Sequence, residues 1–447
     1  MARPDAGDKV LCSSIFISDA GRANVSASWG RDVKSGRLTA RSWRAGFGAS
    51  AATWVLLQQV AVRGLVALKF LAIGRILGPT AIGSVSVALL AVAIAESLSD
   101  TGLAQAVIQG RETPSRNELG AVWTTLVARG LFVALLLLAA APLLRSQFHL
   151  RDSLWLLQLA ASLPLIRGLC SPAYFVVQRE RRFRHVAAIE IAASLVDCTS
   201  GIALAVAGAG AYAVLIGMAL GESLKSVLSW LTMRPRPPLA PRWSGIGHYV
   251  AFSRWIWASS VVNLVLNQFD KIVVGKMLGP AQLGAYQMSS RLAQMLLADA
   301  AIAMSQYLFP TFSAHYRSDA ARAARLFKRY LAVAAGGLVL IVLLLRWLAA
   351  PLFALVLGAQ WMPAVPLFRI FVINMALGAI IAVLVAYLRA LGDARATTHA
   401  SIMQVIVLVA AVPPAMHYWG VTGIAWAMTA GLGTALAWML YRTAGDR

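Results

Sequence analysis

Gly74-Arg-Ile-Leu-Gly-Pro-Thr-Ala-Ile-Gly83 and Gly275-Lys-Met-Leu-Gly-Pro-Ala-Gln-Leu-Gly284 are one turn written twice, 201 positions apart in a chain of 447 residues. Each copy closes a long apolar segment and opens another, so each reads as the turn of a membrane hairpin. A hairpin duplicated at nearly half the chain length points to two repeated halves, the usual build of a transporter.

Composition supports that reading. Hydrophobic residues make up 59% of the chain and charged residues 13%, against roughly 45–50% and about 25% in soluble domains. The chain is a polytopic membrane protein, not a large soluble core. Its net charge of +22 comes mainly from arginines in short runs between apolar segments, the positive-inside pattern rather than a nucleic-acid footprint. Cys12, Cys170 and Cys198 share no disulfide or zinc spacing. The six histidines show no HExxH or paired arrangement and read as interfacial residues.

Spanning the hydrocarbon takes about 20 mostly apolar residues. Twelve segments qualify, near 50–75, 80–99, 119–144, 154–177, 185–207, 211–232, 249–275, 281–308, 329–357, 363–388, 397–416 and 419–441. Turns are expected at Gly78-Pro79, Gly208-Ala-Gly210, Gly279-Pro280, Gly358 and Gly420, and a break or kink at Pro413-Pro414. Even-numbered turns carry Arg111 and Arg116, then Arg179 to Arg184, Arg234 to Arg242, Arg317 to Arg329, and Arg389 with Arg395. Odd-numbered turns hold little beyond Arg75, Arg145, Arg151 and Lys276. Both termini are therefore expected in the cytoplasm.

The expected organisation has five parts. Residues 1–47 are a disordered cytosolic tail or an over-long start, and 48–233 form an amino-terminal six-helix lobe. A Pro/Arg-rich cytoplasmic linker at 234–246 leads to a carboxy-terminal lobe at 247–441 and a short tail at 442–447. Gly210-Ala-Tyr-Ala-Val214 and Gly420-Val-Thr-Gly-Ile424 repeat the relation between the lobes, which are parallel copies about an axis along the membrane normal.

Several pieces together resemble the Wzx-type polysaccharide flippases. They are the Leu-Gly-Pro turn after the first span, Gln268-Phe-Asp-Lys-Ile-Val-Val-Gly275 running into the second copy, Thr101-Gly-Leu-Ala-Gln-Ala-Val-Ile-Gln109, and Leu308-Phe-Pro-Thr-Phe-Ser313. The resemblance covers roughly residues 45–441. It implies the fold of the multidrug/oligosaccharidyl-lipid/polysaccharide exporter superfamily, with two six-helix lobes around a central cavity. It also implies a substrate, an oligosaccharide on undecaprenyl pyrophosphate moved to the periplasmic leaflet of a bacterial inner membrane. Other polysaccharide assembly proteins are candidate partners, and no nucleic acid is.

Charges inside the spans are the candidate site. Each costs roughly 2.5–3.5 kcal/mol at the bilayer centre, so it must face water, pair or snorkel. Arg63, Arg129, Arg167 and Arg291 lie deep in long spans, and with Lys69 they are the expected cavity cations for a pyrophosphate. Asp270, Asp197, Glu222 and Asp299 are the candidates for gating or for exchange of H⁺ or Na⁺; no other cofactor and no metal is expected. Lys69 and Asp270 fall at equivalent places in the two lobes, so an inter-lobe pair at the periplasmic gate is a further expectation. Glu222 and Lys225, three apart, can neutralise each other. Lys271, Lys276 and Arg75 snorkel from helix ends, and Arg369 joins the set of span charges.

Two other readings are weighed. A cation-coupled drug exporter of the same fold predicts a more apolar and acidic cavity. A membrane polysaccharide polymerase needs a large extramembrane loop with paired carboxylates, whereas the non-cytoplasmic loops are about ten residues or fewer. Gly208-Ala-Gly-Ala-Tyr-Ala213 matches a dinucleotide fingerprint only formally, since no strand precedes it. No Walker A sequence is present, and no enzymatic activity is expected.

Overall fold

The structure is a computed structural model that describes residues 51–110, 113–150, 154–238 and 247–445. The 1–47 tail, Arg111, Arg151, Arg242 and most of the 234–246 linker lie outside the described residues. The described chain is helical throughout, with α1 (Ala51–Leu98), α2 (Leu103–Gln109), α3 (Arg116–Gln147), α4 (Leu154–Gly168), α5 (Ala173–Arg179), α6 (Phe183–Val206) and α7 (Tyr212–Thr232) in the first half. The second half holds α8 (Gly247–Ser318), α9 (Ala320–Val356), a 3-10 turn (Ala359–Ala364), α10 (Val365–Ala390) and α11 (Ala394–Gly445).

Three of these helices are hairpins in which two arms meet at a glycine. Gly78 in α1 has φ 75° and ψ 175°, and Gly279 in α8 has φ 81° and ψ 176°. Both copies of the duplicated turn thus use the same conformation, one that only glycine adopts without strain. Pro79 and Pro280 follow at the first position of the next arm, where a missing N–H costs nothing and φ is already helical. Gly420 divides α11 in the same way. Among the described residues, seven helices are long and apolar enough to cross a membrane, or eight if α4 and α5 form one bent span. Dividing α1, α8 and α11 at their glycines and joining α4 to α5 leaves the twelve expected segments.

Boundaries differ in three places. The fourth span is broken, with α4 and α5 meeting at 59°. The eighth span runs on to Ser318, and the ninth starts at Ala320 instead of 329, because Asp319 caps it by accepting from the Arg322 N–H at 3.0 Å. Pro413-Pro414 does not break α11, and the only non-helical backbone inside that helix is at Gly420.

Packing interlocks the two halves at one end. We call the end carrying the duplicated turns the turn end, and the opposite one the basic end. α1 packs along α6 within the first half and along α8 of the second. One continuous core at the turn end takes in Ile73 and Leu215 from the first half with Tyr286, Trp361 and Phe368 from the second. Three smaller cores among the described residues lie toward the basic end. One, around Phe312, Phe327 and Tyr387, belongs to the second half. Two others, around Tyr174 and Leu119, belong to the first.

The turn end is closed by the duplicated sequence itself. A Cβ on Gly83 would lie 1.7 Å from the carbonyl oxygen of Pro280, and one on Gly284 would lie 1.9 Å from that of Pro79. Each copy's last glycine therefore seats the other copy's proline. Trp361 Nε1 adds a cross-half bond to the Gly74 carbonyl at 2.8 Å, and Gln360 donates to that of Arg75 at 2.8 Å. Arg75 in turn donates to the carbonyls of Leu355 and Val356. At the basic end, Ser260 of α8 donates to Asp100 across the halves at 3.2 Å.

Candidate functional site

The charges of the first half are drawn together by close helix packing. Gly217 and Gly221 let α7 approach α6 until a Cβ at either would come within 2.8 Å of a backbone oxygen, of Asp197 and Ala193 respectively. Small residues at this spacing suit such contact. Gly201 makes room for a side chain, since a Cβ there would lie 2.9 Å from Lys69 Cε. Lys69, 7% exposed, reaches past it to form an ion pair with Asp197 and a 3.2 Å bond to the Val214 carbonyl.

A second cluster forms where α1, α3, α4 and α7 converge toward the basic end. Arg167 of α4 donates through Nη1 to both oxygens of Glu96, at 3.0 and 2.8 Å, and through Nε to Glu222 at 3.1 Å. Arg129 of α3 donates through Nε to the Ser99 hydroxyl at 3.1 Å and through Nη2 to the Glu96 carbonyl at 2.8 Å. Glu96, Arg129 and Arg167 border a cavity of about 370 Å³ whose wall also includes Asp100, Leu126 and Phe175. A third cluster joins Lys225 to Glu190 at 2.7 Å, with the Tyr174 hydroxyl donating to the same carboxylate.

Lys69, Arg129, Arg167 and Lys225 stand against Glu96, Glu190, Asp197 and Glu222, with Asp100 a fifth acid on the cavity wall. Three of the four cations are held in ion pairs. Arg129 is the exception, bonded only to neutral oxygens, with Nη1 unused among the described residues. A half-buried guanidinium on a cavity wall, with donors to spare and no carboxylate partner, can hold phosphate oxygens.

The second half is built differently. Asp270 is 2% exposed and accepts from the Tyr286 hydroxyl at 2.7 Å, while its Oδ1 has no partner among the described residues. Arg291 is exposed and donates to Gln294 at 2.9 Å. In the first half, exposed Arg63 donates to Gln59 at 3.2 Å. Asp299 lies within α8, and its side chain is outside the described residues.

Sequence position alone mispaired some of these groups. Arg129 and Arg167 come together at one cavity, whereas Arg63 and Arg291 do not line it. Lys69 and Asp270 do not form the expected inter-lobe pair. Lys69 is satisfied inside its own half by Asp197, while Asp270 accepts from Tyr286 within the second. Glu222 and Lys225 do not neutralise each other either, because each faces a different neighbouring helix and finds Arg167 and Glu190 there. Glu96, Glu190, Tyr174 and Tyr286 were not anticipated. Glu96 is the sole acid within 80–99, the signal that singled out other span charges.

Comparison with known proteins agrees with this architecture. The lipopolysaccharide biosynthesis protein WzxC of Escherichia coli (strain K12) is 25% identical over 276 residues, 59% of this chain and 54% of that protein. The match therefore spans about half the relative's length. The succinoglycan biosynthesis transport protein ExoT of Rhizobium meliloti (strain 1021) is 23% identical over 343 residues, 76% of this chain and 68% of that one. Among solved structures, the lipid II flippase MurJ in an inward closed conformation superposes with a TM-score of 0.68 at 14% identity, covering 87% of each chain. An inward-facing multidrug resistance transporter of the MATE family gives 0.62 at 13% identity, over 89% of this chain and 98% of that one. These structures share the fold, two six-helix lobes. The family model described as polysaccharide biosynthesis protein matches residues 72–366, and the chain belongs to that family.

Proposed function

We propose that this protein is a flippase for oligosaccharide linked to undecaprenyl pyrophosphate, moving it from the cytoplasmic to the periplasmic leaflet of a bacterial inner membrane for cell-surface polysaccharide synthesis. The observation that carries the reading is Arg129, a cavity guanidinium without a carboxylate partner among the described residues. A glycan head cannot cross hydrocarbon, because each hydroxyl would lose its hydrogen bonds. A polar cavity removes that cost while the polyprenyl tail stays in lipid. In this reading the basic end is cytoplasmic, as the loop arginines indicate, and the lobes 48–233 and 247–441 rock about the interlocked turns. The cavity then opens alternately to either side. The interlocked turns and the core shared between the halves fit a state closed at the turn end.

Coupling to H⁺ or Na⁺ is assigned to Asp270, whose buried carboxylate has an oxygen to spare. A drug exporter of the same fold remains the competing reading, favoured by Glu96 and Asp100 on the cavity wall. The test sorts undecaprenyl-linked glycans by leaflet in cells lacking the protein and in cells carrying Arg129→Gln at normal level. Accumulation on the cytoplasmic side in both supports the flippase, and normal export in the deletion sinks it. Normal export with Arg129→Gln alone removes Arg129 from the site.

A further inference from the structure

The seam between α9 and α10 near the turn end carries two charges that the transport reading does not use. Arg346 of α9 donates through Nη1 to the backbone oxygen of Arg369 at 3.0 Å, and Arg369 of α10 donates through Nε to that of Arg346 at 3.2 Å. The exchange is reciprocal, so it pins both guanidiniums at one level of the seam. Neither has a carboxylate within ion-pair distance among the described residues, and the sequence shows why, since no Asp or Glu occurs between Asp319 and Asp393. A guanidinium has five N–H donors, and each of these spends one.

The surroundings are those of an outer wall. Leu343, Trp347 and Leu355 of α9 are 60%, 76% and 79% exposed, while Phe368 and Phe371 of α10 turn inward and are fully buried. Two like charges side by side on an apolar wall repel each other and are poorly solvated, so they need a counter-anion or a route to the head-group layer. Arg369 follows the start of α10 at Val365 by one turn and can reach the head-group layer, whereas Arg346 lies about 15 Å before the end of α9 at Val356 and depends on the counter-anion. Two planar forks held at one level match the oxygens of a single phosphate.

We propose that Arg346 and Arg369 form a binding site for the phosphate group of an anionic lipid in the leaflet at the turn end. The site lies on the outer face of the second lobe, and it stands whether or not the chain moves lipid-linked glycan. A phospholipid phosphodiester and a polyprenyl phosphate offer the same chemistry.

The test uses the full chain in phosphatidylcholine nanodiscs containing either phosphatidylglycerol or undecaprenyl phosphate, with retained lipids counted by native mass spectrometry. The wild type should retain at least one of the two anionic lipids roughly tenfold over phosphatidylcholine. Arg346→Gln with Arg369→Gln should lose one such lipid per protein, and Arg346→Lys with Arg369→Lys should hold it more weakly than wild type. Retention of phosphatidylglycerol alone identifies a bilayer phospholipid as the ligand; retention of undecaprenyl phosphate alone identifies the carrier. Equal retention in the wild type and the Gln pair overturns the site, as does a wild type with no preference over phosphatidylcholine. Should the Gln pair not purify, Arg369→Gln alone carries the comparison.

Discussion

Gly83 and Pro280 touch so closely that the glycine has no room for a methyl group, its notional Cβ lying 1.7 Å from the proline carbonyl oxygen. Gly284 and Pro79 stand in the same relation. Gly83→Ala or Gly284→Ala must push the two halves apart at the turn end, an overpacking that costs about 1–3 kcal/mol. Thermal unfolding in detergent should show a similar loss for each. Gly336→Ala, where a Cβ meets nothing within 4 Å, should leave stability unchanged or raise it. A Gly83→Ala protein as stable as wild type would show that the halves do not need this contact.

Arg129 and Arg167 share a cavity and should fail differently. Arg167 holds two carboxylates, so Arg167→Gln strands Glu96 and Glu222. All three side chains are partly exposed, at 33%, 28% and 26%, so water tempers the penalty to about 1–2 kcal/mol. Adding Glu96→Gln and Glu222→Gln should return most of it. Arg129→Gln should cost less than about 1 kcal/mol and act on export instead. Equal stability losses from the two arginines would contradict the assignment.

The Lys69–Asp197 pair predicts a specific pattern of coupling. In a double-mutant cycle with Lys69→Met and Asp197→Asn, unfolding energies should depart from additivity by about 1–3 kcal/mol. The same cycle between Lys69 and Asp270 should be additive within about 0.5 kcal/mol. Strong coupling in the second cycle would revive the inter-lobe pair.

Asp393 supplies a pH signature outside the membrane. The Arg442 guanidinium, bonded to its Oδ2 at 2.8 Å, holds this carboxyl below the usual carboxylate range, helped by the Ala396 N–H at 3.1 Å. A depressed folded value means that the stabilisation is fully present above the unfolded pKa of about 3.9 and is lost as pH falls through the folded value. Asp393→Asn keeps the cap and removes the charge, so it should lower Tm at neutral pH. The gap from wild type should shrink below about pH 4. A gap that stays constant from pH 7 to pH 3 would rule out the ionised pair as its source.

Much of this was legible in the sequence because its signals are local. A repeated Gly-Pro turn, runs of about 20 apolar residues and arginine-rich loops need no knowledge of what lies across the bundle. Pairing does need it. Lys69 and Asp197 are separated by 128 positions, and Arg167 and Glu96 by 71, so only the crossings of α1, α6, α4 and α7 decide which opposite charges meet. Pro413-Pro414 misled for another reason: a proline pair reads locally as a break, yet the helix runs through it and turns only at Gly420, where a turn was also expected.

Pro79 and Gly83 meet Gly284 and Pro280 under the same shift that relates the two halves of the sequence. The contact is therefore isologous, the geometry of a two-fold dimer interface retained inside one polypeptide. In a true homodimer, one substitution strikes such an interface twice. Here the fused chain lets each half of the contact be altered alone. The strength of closure can then be set in two independent steps, a freedom that a symmetric pair of separate subunits lacks.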